Sequence, residues 1–67
     1  MKFKCQTDYI TLGQFLKIAD FIQTGGQAKI AVLELDIVVN GEKENRRGRK
    51  LYPGDQLVIE GKHFEIE

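Results

Sequence analysis

The side chains best suited to hold a charged ligand are concentrated in one short stretch of the chain. Half of the ten basic residues lie within positions 43–50, here called the basic segment. They are Lys43, Arg46, Arg47, Arg49 and Lys50. Arginine offers planar, bidentate donors that match phosphate oxygens, and it keeps its charge at any physiological pH. A charge run is usually only a solvated face, but five cations so close together favour a phosphate-binding loop, which the backbone of Gly48 would let a ligand approach closely.

A second candidate site lies at the expected start of a helix. Thr24, Gly25, Gly26 and Gln27 precede an apolar helical pattern, and Lys29 falls on its first turn. Free backbone N–H groups and the helix dipole favour an anion at such a place, where Lys29 would add an ion pair. A capped helix start with an ordinary surface lysine explains the same residues, since every helix has such an end.

Catalysis has little support in the residue types. Cys5 and His63 are the only cysteine and the only histidine, and they stand near opposite ends of the chain. The ten carboxylates are scattered except for Glu42 and Glu44, which are expected to be solvated on one face of a strand. No spacing matches a phosphate loop, a dinucleotide fold or a zinc protease. We therefore expect no enzyme, no cofactor and no metal site.

Length and composition predict a single small domain over residues 1–67. The chain is 42% hydrophobic and has no net charge, yet residues 39–50 carry a local balance of +3 and residues 51–67 one of −3. No apolar run approaches the ~20 residues that cross a bilayer, and no signal peptide is recognised. A cytoplasmic protein without contact to a membrane is the expectation.

Two helices must position the candidate residues. Thr11 and Gln14 have the spacing of a capping box, which begins a helix predicted over roughly 12–22. A glycine pair interrupts the pattern, and a second helix is predicted over roughly 27–35. Because only about four residues join them, the two helices are expected to pack together at a steep angle.

Short strands are predicted on either side of these helices. The Asn40-Gly41 pair after a β-branched run is a strong hairpin signal, and Pro53-Gly54 predicts a type II turn. Residues 45–50 are expected to form an exposed loop. Further strands are predicted at 2–5, at 56–60 and at 63–66, the last two joined by a turn at Gly61-Lys62. The fold class is therefore α+β, with two packed helices followed by a small, mostly antiparallel sheet.

The order of these motifs resembles the RNA-binding domain named after ribosomal small-subunit protein four. The matching segments cover almost the whole chain and are residues 12–17, 24–29, 38–42, 46–51 and 54–55. In length the chain is similar to the small stand-alone bacterial YaaA-like group of that family. Such a resemblance implies an α+β fold built on the helix-turn-helix αL motif and a small sheet.

The resemblance also implies a function and a set of contacts. The family binds structured RNA, ribosomal or transfer RNA, through a face made by the two helices and the basic loop, in ribosome assembly or translation. A ribosomal subunit is among the partners that this implies. Carried over residue by residue, the RNA-binding positions are Thr24, Gly25, Gly26, Gln27, Lys29, Asn40, Lys43, Arg46, Arg47, Arg49 and Lys50.

Two of those positions need comment. Many members have an arginine or lysine where this chain has Gly25-Gly26-Gln27, which shifts the electrostatic attraction to the basic segment. Asn40 is also explained by the hairpin turn alone. Only Tyr52 lies near the basic segment in sequence, so a stacking platform for single strands is not expected, and recognition of folded RNA through phosphates and 2′-hydroxyls fits better.

Other functions remain open at the level of sequence. A monomer is expected. The basic segment would also suit an adapter that docks an acidic protein, or it would drive self-association with the acidic strands 51–67. A small enzyme would require Cys5 and His63 to meet in the fold.

Overall fold

A computed structural model describes residues 2–5 and 7–67 of the chain. Within this part, seven strands and two α-helices follow one another, with a 3-10 turn at Gly25–Gln27 before the second helix. They are β1 (Lys2–Phe3), β2 (Ile10–Thr11), α1 (Leu12–Ile18), α2 (Ala28–Glu34), β3 (Ile37–Val39), β4 (Glu42–Lys43), β5 (Lys50–Leu51), β6 (Gln56–Ile59) and β7 (Lys62–Ile66). The predicted α+β class, with two short helices before a small sheet, is confirmed.

Five strands form the main sheet in the order β1-β7-β6-β3-β4. Only β1 and β7 run parallel, while the other neighbours are antiparallel, as predicted. β1 is an edge strand, and it ends at Phe3 rather than at Cys5. One further backbone hydrogen bond, from the Cys5 N–H to the Glu67 carbonyl at 3.0 Å, extends its contact with the end of the chain.

A separate ladder of β2 and β5 was not expected from the sequence. Ile10 lies opposite Leu51, and Thr11 lies opposite Lys50, in antiparallel register. Each strand has two residues, which is too short for an alternating pattern to be visible. Lys50, expected in the exposed loop, therefore belongs to a strand that is tied to the start of α1.

Helix α1 begins where the capping box predicted. The Thr11 hydroxyl accepts from the Gln14 N–H at 3.3 Å, and Gln14 Oε1 accepts from the Thr11 N–H at 3.1 Å. Two of the N–H groups that a helix start leaves unbonded are satisfied in this way.

The end of α1 comes at Ile18, four residues before the predicted limit. Asp20 takes a left-handed backbone with φ 69°, and the Phe21 N–H reaches back to the Leu16 carbonyl at 2.9 Å. This is the Schellman closure of a helix, made here without glycine. Ile22 is buried as its apolar character suggested, but from the connection after the helix rather than from α1.

The second helix is preceded by a 3-10 turn and is correspondingly short. Gln27 Oε1 accepts from the N–H groups of Gln23 and Thr24, at 2.6 and 3.0 Å. α2 itself covers Ala28–Glu34, inside the predicted range 27–35. Within the described residues, no helix has the length and apolar character needed to cross a membrane.

Two tight hairpin turns connect strands of the sheet. Asn40 and Gly41 have φ 51° and 85°, the positive values that a two-residue hairpin requires, so the Asn-Gly prediction is confirmed. The second turn uses Glu60 and Gly61, with φ 50° and 81°, one residue earlier than predicted. Lys62 consequently belongs to β7.

The core lies between α1, α2 and the main sheet. Phe15 is at its centre, with its ring packed edge-to-face against Phe3 and Phe64 at centroid distances of 5.5 and 5.3 Å. α2 contributes Ala28 and Val32, both buried. Since α1 is fixed on the sheet by these contacts, its first turn is a rigid support for whatever packs against it.

Candidate nucleic-acid interface

The backbone of the basic segment is fixed on the first turn of α1. The Leu12 N–H donates to the Arg49 carbonyl at 2.8 Å, and the Gly13 N–H donates to the Arg47 carbonyl at 2.9 Å. Free donors at a helix start usually bond to a side chain or to water. Here they hold a loop whose side chains then project from a rigid backbone.

Gly13 makes this close approach possible. A Cβ atom at this position would lie 3.2 Å from the Ala28 Cβ and 3.4 Å from the Arg47 carbonyl oxygen. The start of α1, the start of α2 and the basic segment therefore converge at a residue without a side chain. Glycine in the first turn of a predicted helix was the only sequence signal of this role, and the sequence reasoning did not use it.

Glu44, within the basic segment, is buried, and the expectation that it is solvated is wrong. Its residue is 8% exposed, and it is the only buried charged residue in the described ranges. β4 ends at Lys43, and the Glu44 N–H donates to the Ile37 carbonyl at 2.9 Å, so Glu44 stays against the sheet edge as the loop departs. Glu42, its partner in the sequence pattern, is exposed as expected.

Two arginines of the basic segment converge on this carboxylate. Arg49 Nη1 donates to Glu44 Oε1 at 2.7 Å, and Arg46 Nε donates to Glu44 Oε2 at 2.9 Å. The backbone N–H of Arg46 donates to the same Oε2 at 3.2 Å. The orientations of both guanidinium groups are thus set by one buried acceptor.

The carboxylate remains charged over the whole physiological range. The pKa of Glu44 lies at about 2, below its ordinary value of 4.5. The hydrogen bond from the Arg46 side chain lowers it most, burial opposes that effect, and the hydrogen bond from Arg49 lowers it further. Glu44 in turn raises the pKa of Arg46.

Arg47 makes no such contact with Glu44 and lies in a different groove. Arg47 lines a shallow groove of about 230 Å³ together with Lys29 from α2. The remaining lining residues are Val32, Leu33 and Asn45. Two positions predicted from separate segments of the sequence, one in the basic segment and one on the second helix, therefore share one surface.

The 3-10 turn before α2 is capped by the side chain of Gln27. The N–H groups of Gln23 and Thr24 are already bonded to the Gln27 side chain. Thr24, Gly25, Gly26 and Gln27 are all exposed. What these residues offer to a ligand is an accessible glycine backbone beside Lys29.

Asn40 lies away from the rest of the predicted contacts. It occupies the turn at one end of the β3–β4 hairpin, whereas the loop after Lys43 leaves from the other end. Its side chain accepts from the Gln56 N–H at 2.9 Å and donates to Asp55 Oδ1 at 3.0 Å. Both bonds fasten the hairpin turn to the start of β6.

The structure also brings an unexpected aromatic residue to the basic segment. The rings of Tyr9 and Tyr52 have centroids 5.9 Å apart, and Lys50 Nζ lies 5.0 Å from the Tyr9 ring centroid. The view that Tyr52 is the one aromatic side chain nearby is therefore wrong. Sequence distance concealed Tyr9, because only the β2–β5 ladder brings it there.

Cys5 and His63 lie at different points along β7 in the described part of the chain. Cys5 lies beside the end of β7, through its bond to the Glu67 carbonyl, whereas His63 is the second residue of that strand. The position beside Cys5 and the position of His63 are about four residues apart along the strand, at ~3.4 Å per residue, so the two side chains are not neighbours. Among residues 2–5 and 7–67, no three histidine, cysteine, aspartate or glutamate side chains are grouped so that they would hold a metal ion.

Comparison with known proteins places this chain among its relatives. Residues 3–67 match the family model of the S4 domain. The chain belongs to the S4 domain family. A protein of Bacillus subtilis (strain 168), named probable ribosome maturation protein RlbA, is 62% identical to this S4 domain over 55 residues, which are 82% of this chain and 78% of the relative. No solved structure matches.

The family membership confirms the resemblance predicted from the sequence. The ordered motifs of this S4 domain did not show which residues contact the basic segment. Gly13 and Tyr9 contact the basic segment from other parts of the chain, and Glu44 is the one buried residue within it. In the fold, Glu44 binds two of the five cations, Arg46 and Arg49, and Arg46 remains exposed together with Lys43, Arg47 and Lys50.

Proposed function

We propose that this S4 domain is a non-catalytic module that binds structured RNA and acts in the maturation of ribosomes. The observation that carries the proposal is the shared groove of Lys29 and Arg47 beside the two arginines oriented by Glu44. Family membership supports RNA binding, and the name of the Bacillus relative supports a role in ribosome maturation. Ribosomal RNA, in a ribosomal subunit or its precursor, is accordingly the partner we favour over transfer RNA.

The chemistry of the surface suits phosphate rather than base edges. The Arg46 side chain is 73% exposed although Glu44 orients it, so its outer donors remain accessible to a phosphate. Lys43, Arg47 and Lys50 add exposed positive charge around it. An array of this kind binds the backbone of a folded RNA by position and shape.

Two glycines at this surface also support RNA binding. A Cβ atom on Gly25 or on Gly48 would meet no other atom within 4 Å, and neither residue has a left-handed backbone. The fold alone therefore gives no reason for the missing side chains. Close approach of an RNA backbone to these two positions would account for them.

Of the remaining predicted contacts, Thr24, Gly26 and Gln27 belong to the proposed RNA surface, whereas we assign Asn40 a structural role. The first three border Lys29, whereas Asn40 already has two structural hydrogen bonds. We further propose that the domain works as a monomer in the cytoplasm, where ribosomes mature.

A salt titration tests the proposal. Binding of bacterial ribosomal RNA is measured between about 50 and 200 mM salt for the wild type and for Arg47→Ala and Lys29→Ala. Each variant should bind more weakly and reduce the slope of log affinity against log salt by about one. Arg47 and Lys29 are preferable to Arg46 and Arg49, because substituting either of the latter would also remove a hydrogen-bond partner of the buried Glu44.

Lys2→Ala is the matched control. Lys2 is an exposed lysine on β1, at the opposite edge of the main sheet from β4. Its substitution should leave the slope unchanged. Equal slopes for Arg47→Ala, Lys29→Ala and Lys2→Ala would remove the groove as the RNA face, and absence of RNA binding by the wild type would favour an adapter for an acidic protein.

A further inference from the structure

The solvent face of the β2–β5 ladder carries a pair of exposed tyrosines next to the basic segment. We propose that Tyr9 and Tyr52 form a stacking surface for one unpaired base of the RNA whose phosphates the basic segment holds. This inference rests on the proposed function and adds to it the class of RNA feature that is recognised.

The register of the ladder explains why both rings face solvent. Ile10 lies opposite Leu51, and both are buried. Extending the antiparallel register by one pair puts Tyr9 opposite Tyr52, and neighbouring residues of a strand point to opposite faces. The residues are 40% and 48% exposed, so the core does not require either ring.

The backbone on both sides of the pair is fixed. The Tyr52 N–H donates to Asp55 Oδ2 at 2.8 Å, and the Asp55 N–H donates to the Tyr52 carbonyl at 3.0 Å across the predicted type II turn, in which Gly54 has φ 100°. On the other strand, the Tyr9 carbonyl accepts from the Thr7 hydroxyl at 2.6 Å. Rings held on such a support are available to a ligand with little loss of conformational entropy.

The geometry of the pair suits a planar, electron-poor partner close to a phosphate. The two rings are tilted by 48°, so they form an open wedge rather than a closed stack. Lys50 Nζ lies over the Tyr9 ring, 5.0 Å from its centroid, and so places a cation directly beside the tyrosine pair. A nucleotide presents both parts, a π face for a tyrosine and a phosphate for a lysine.

Continuity with the basic segment is what favours a nucleobase over an apolar protein side chain. Lys50 pairs with Thr11 in the ladder, and its chain neighbour Arg49 is bonded through its carbonyl to the start of α1. The tyrosine pair is therefore adjacent to the C-terminal end of the basic segment. An RNA strand that leaves a paired region on the basic segment would put its first unpaired base at this position.

The experiment uses two RNA probes and the natural fluorescence of the patch. One probe is a continuous RNA duplex of about 16 base pairs, and the other is the same duplex with one bulged adenosine. Tyr9 and Tyr52 are the only tyrosines, and the chain has no tryptophan, so its intrinsic fluorescence reports on these two rings alone. The wild type is compared with Tyr52→Ala, Tyr9→Ala, Tyr52→Phe and Arg47→Ala, after thermal unfolding has shown that each variant is folded.

The bulged probe should bind the wild type about 5-fold or more tightly than the duplex, in line with the stacking energy of one base, and should quench the tyrosine fluorescence. Tyr52→Ala and Tyr9→Ala should lose this preference with no change in the salt slope, because stacking releases no counterions. Tyr52→Phe should keep it, since the ring is retained.

Two outcomes would overturn the inference, and only the second would also contradict the proposal that the domain binds RNA. Equal binding of both probes by wild type and alanine variants, while Arg47→Ala still weakens both, would remove the stacking surface and leave the RNA-binding proposal in place. Failure of the wild type to bind either probe or ribosomal RNA would remove both.

Discussion

Glu44 accepts a hydrogen bond from Arg49 at 2.7 Å. It is the one acidic residue that is buried in the described part of the chain. A carboxylate at this position reduces the net positive charge that an RNA phosphate meets. It also restricts the rotamers of two long side chains before any ligand arrives, which lowers the entropy lost on binding. The two effects have opposite signs, so substitution of Glu44 decides which is larger.

Glu44→Gln should lower the stability by about 1–3 kcal/mol, because the hydrogen bonds from Arg46 and Arg49 lose their charged acceptor. Thermal unfolding measures this change. Glu42→Gln is the matched control, since Glu42 is exposed two residues earlier, and it should stay within about 0.5 kcal/mol of the wild type.

The same Glu44→Gln variant should bind ribosomal RNA about 2- to 10-fold more weakly, although it gains positive charge. The released arginines must then be ordered by the RNA itself. Titration at constant salt gives the affinity. Tighter binding than that of Glu42→Gln would mean that charge outweighs preorganisation at this surface.

Acid should weaken the fold through Glu44. Its pKa is about 2 in the folded protein against an ordinary value of 4.5, so unfolding takes up a proton between these values. The stabilisation is fully present above about pH 4.5 and is lost as the pH falls towards 2. Urea unfolding at a series of pH values should show this loss in the wild type and a flatter profile in Glu44→Gln; parallel profiles would contradict it.

Gly13→Ala should destabilise the protein by about 1 kcal/mol, even though alanine is the better helix former. The added methyl group would press on the Ala28 side chain and on the Arg47 carbonyl. Gly48→Ala, where the methyl group meets open space, serves as the control for the measurement by chemical unfolding. A Gly13→Ala variant as stable as the wild type would show that the basic segment can shift without loss.

Asn40→Ala distinguishes a structural role from an RNA contact. The substitution removes two hydrogen bonds and leaves alanine in a left-handed turn, so stability should fall by about 1–2 kcal/mol. The RNA affinity and its salt slope should stay at wild-type values in the folded variant. A clear loss of affinity would instead favour the contact that the family resemblance implies.

Features set by neighbouring residues were predictable from the sequence. The capping box of Thr11 and Gln14 and the Asn40-Gly41 turn depend on a few adjacent atoms, and both form as predicted. The ordered motifs also predicted the family and the α+β class. These patterns did not predict how the elements are arranged around the basic segment.

Features set by contacts across the fold were not predictable. The alternation of Glu42 and Glu44 indicated one exposed face, but the strand ends at Lys43 and the next residue is buried. Tyr9 comes close to Tyr52 only through a ladder whose strands have two residues each. The spacing of the cations likewise did not show that Glu44 binds Arg46 and Arg49 and leaves the others unbound to it.

The pairing of β1 with β7 has a consequence for how the chain folds. β1 is the first strand and has β7, the last, as its neighbour in the sheet, while β7 also borders β6. A ribosome releases the chain from its N-terminal end, so β1 has no template until β7 has been synthesised. The local packing of α1 on α2 can form earlier, whereas the pairing of β1 with β7 is a late step between residues far apart in the sequence.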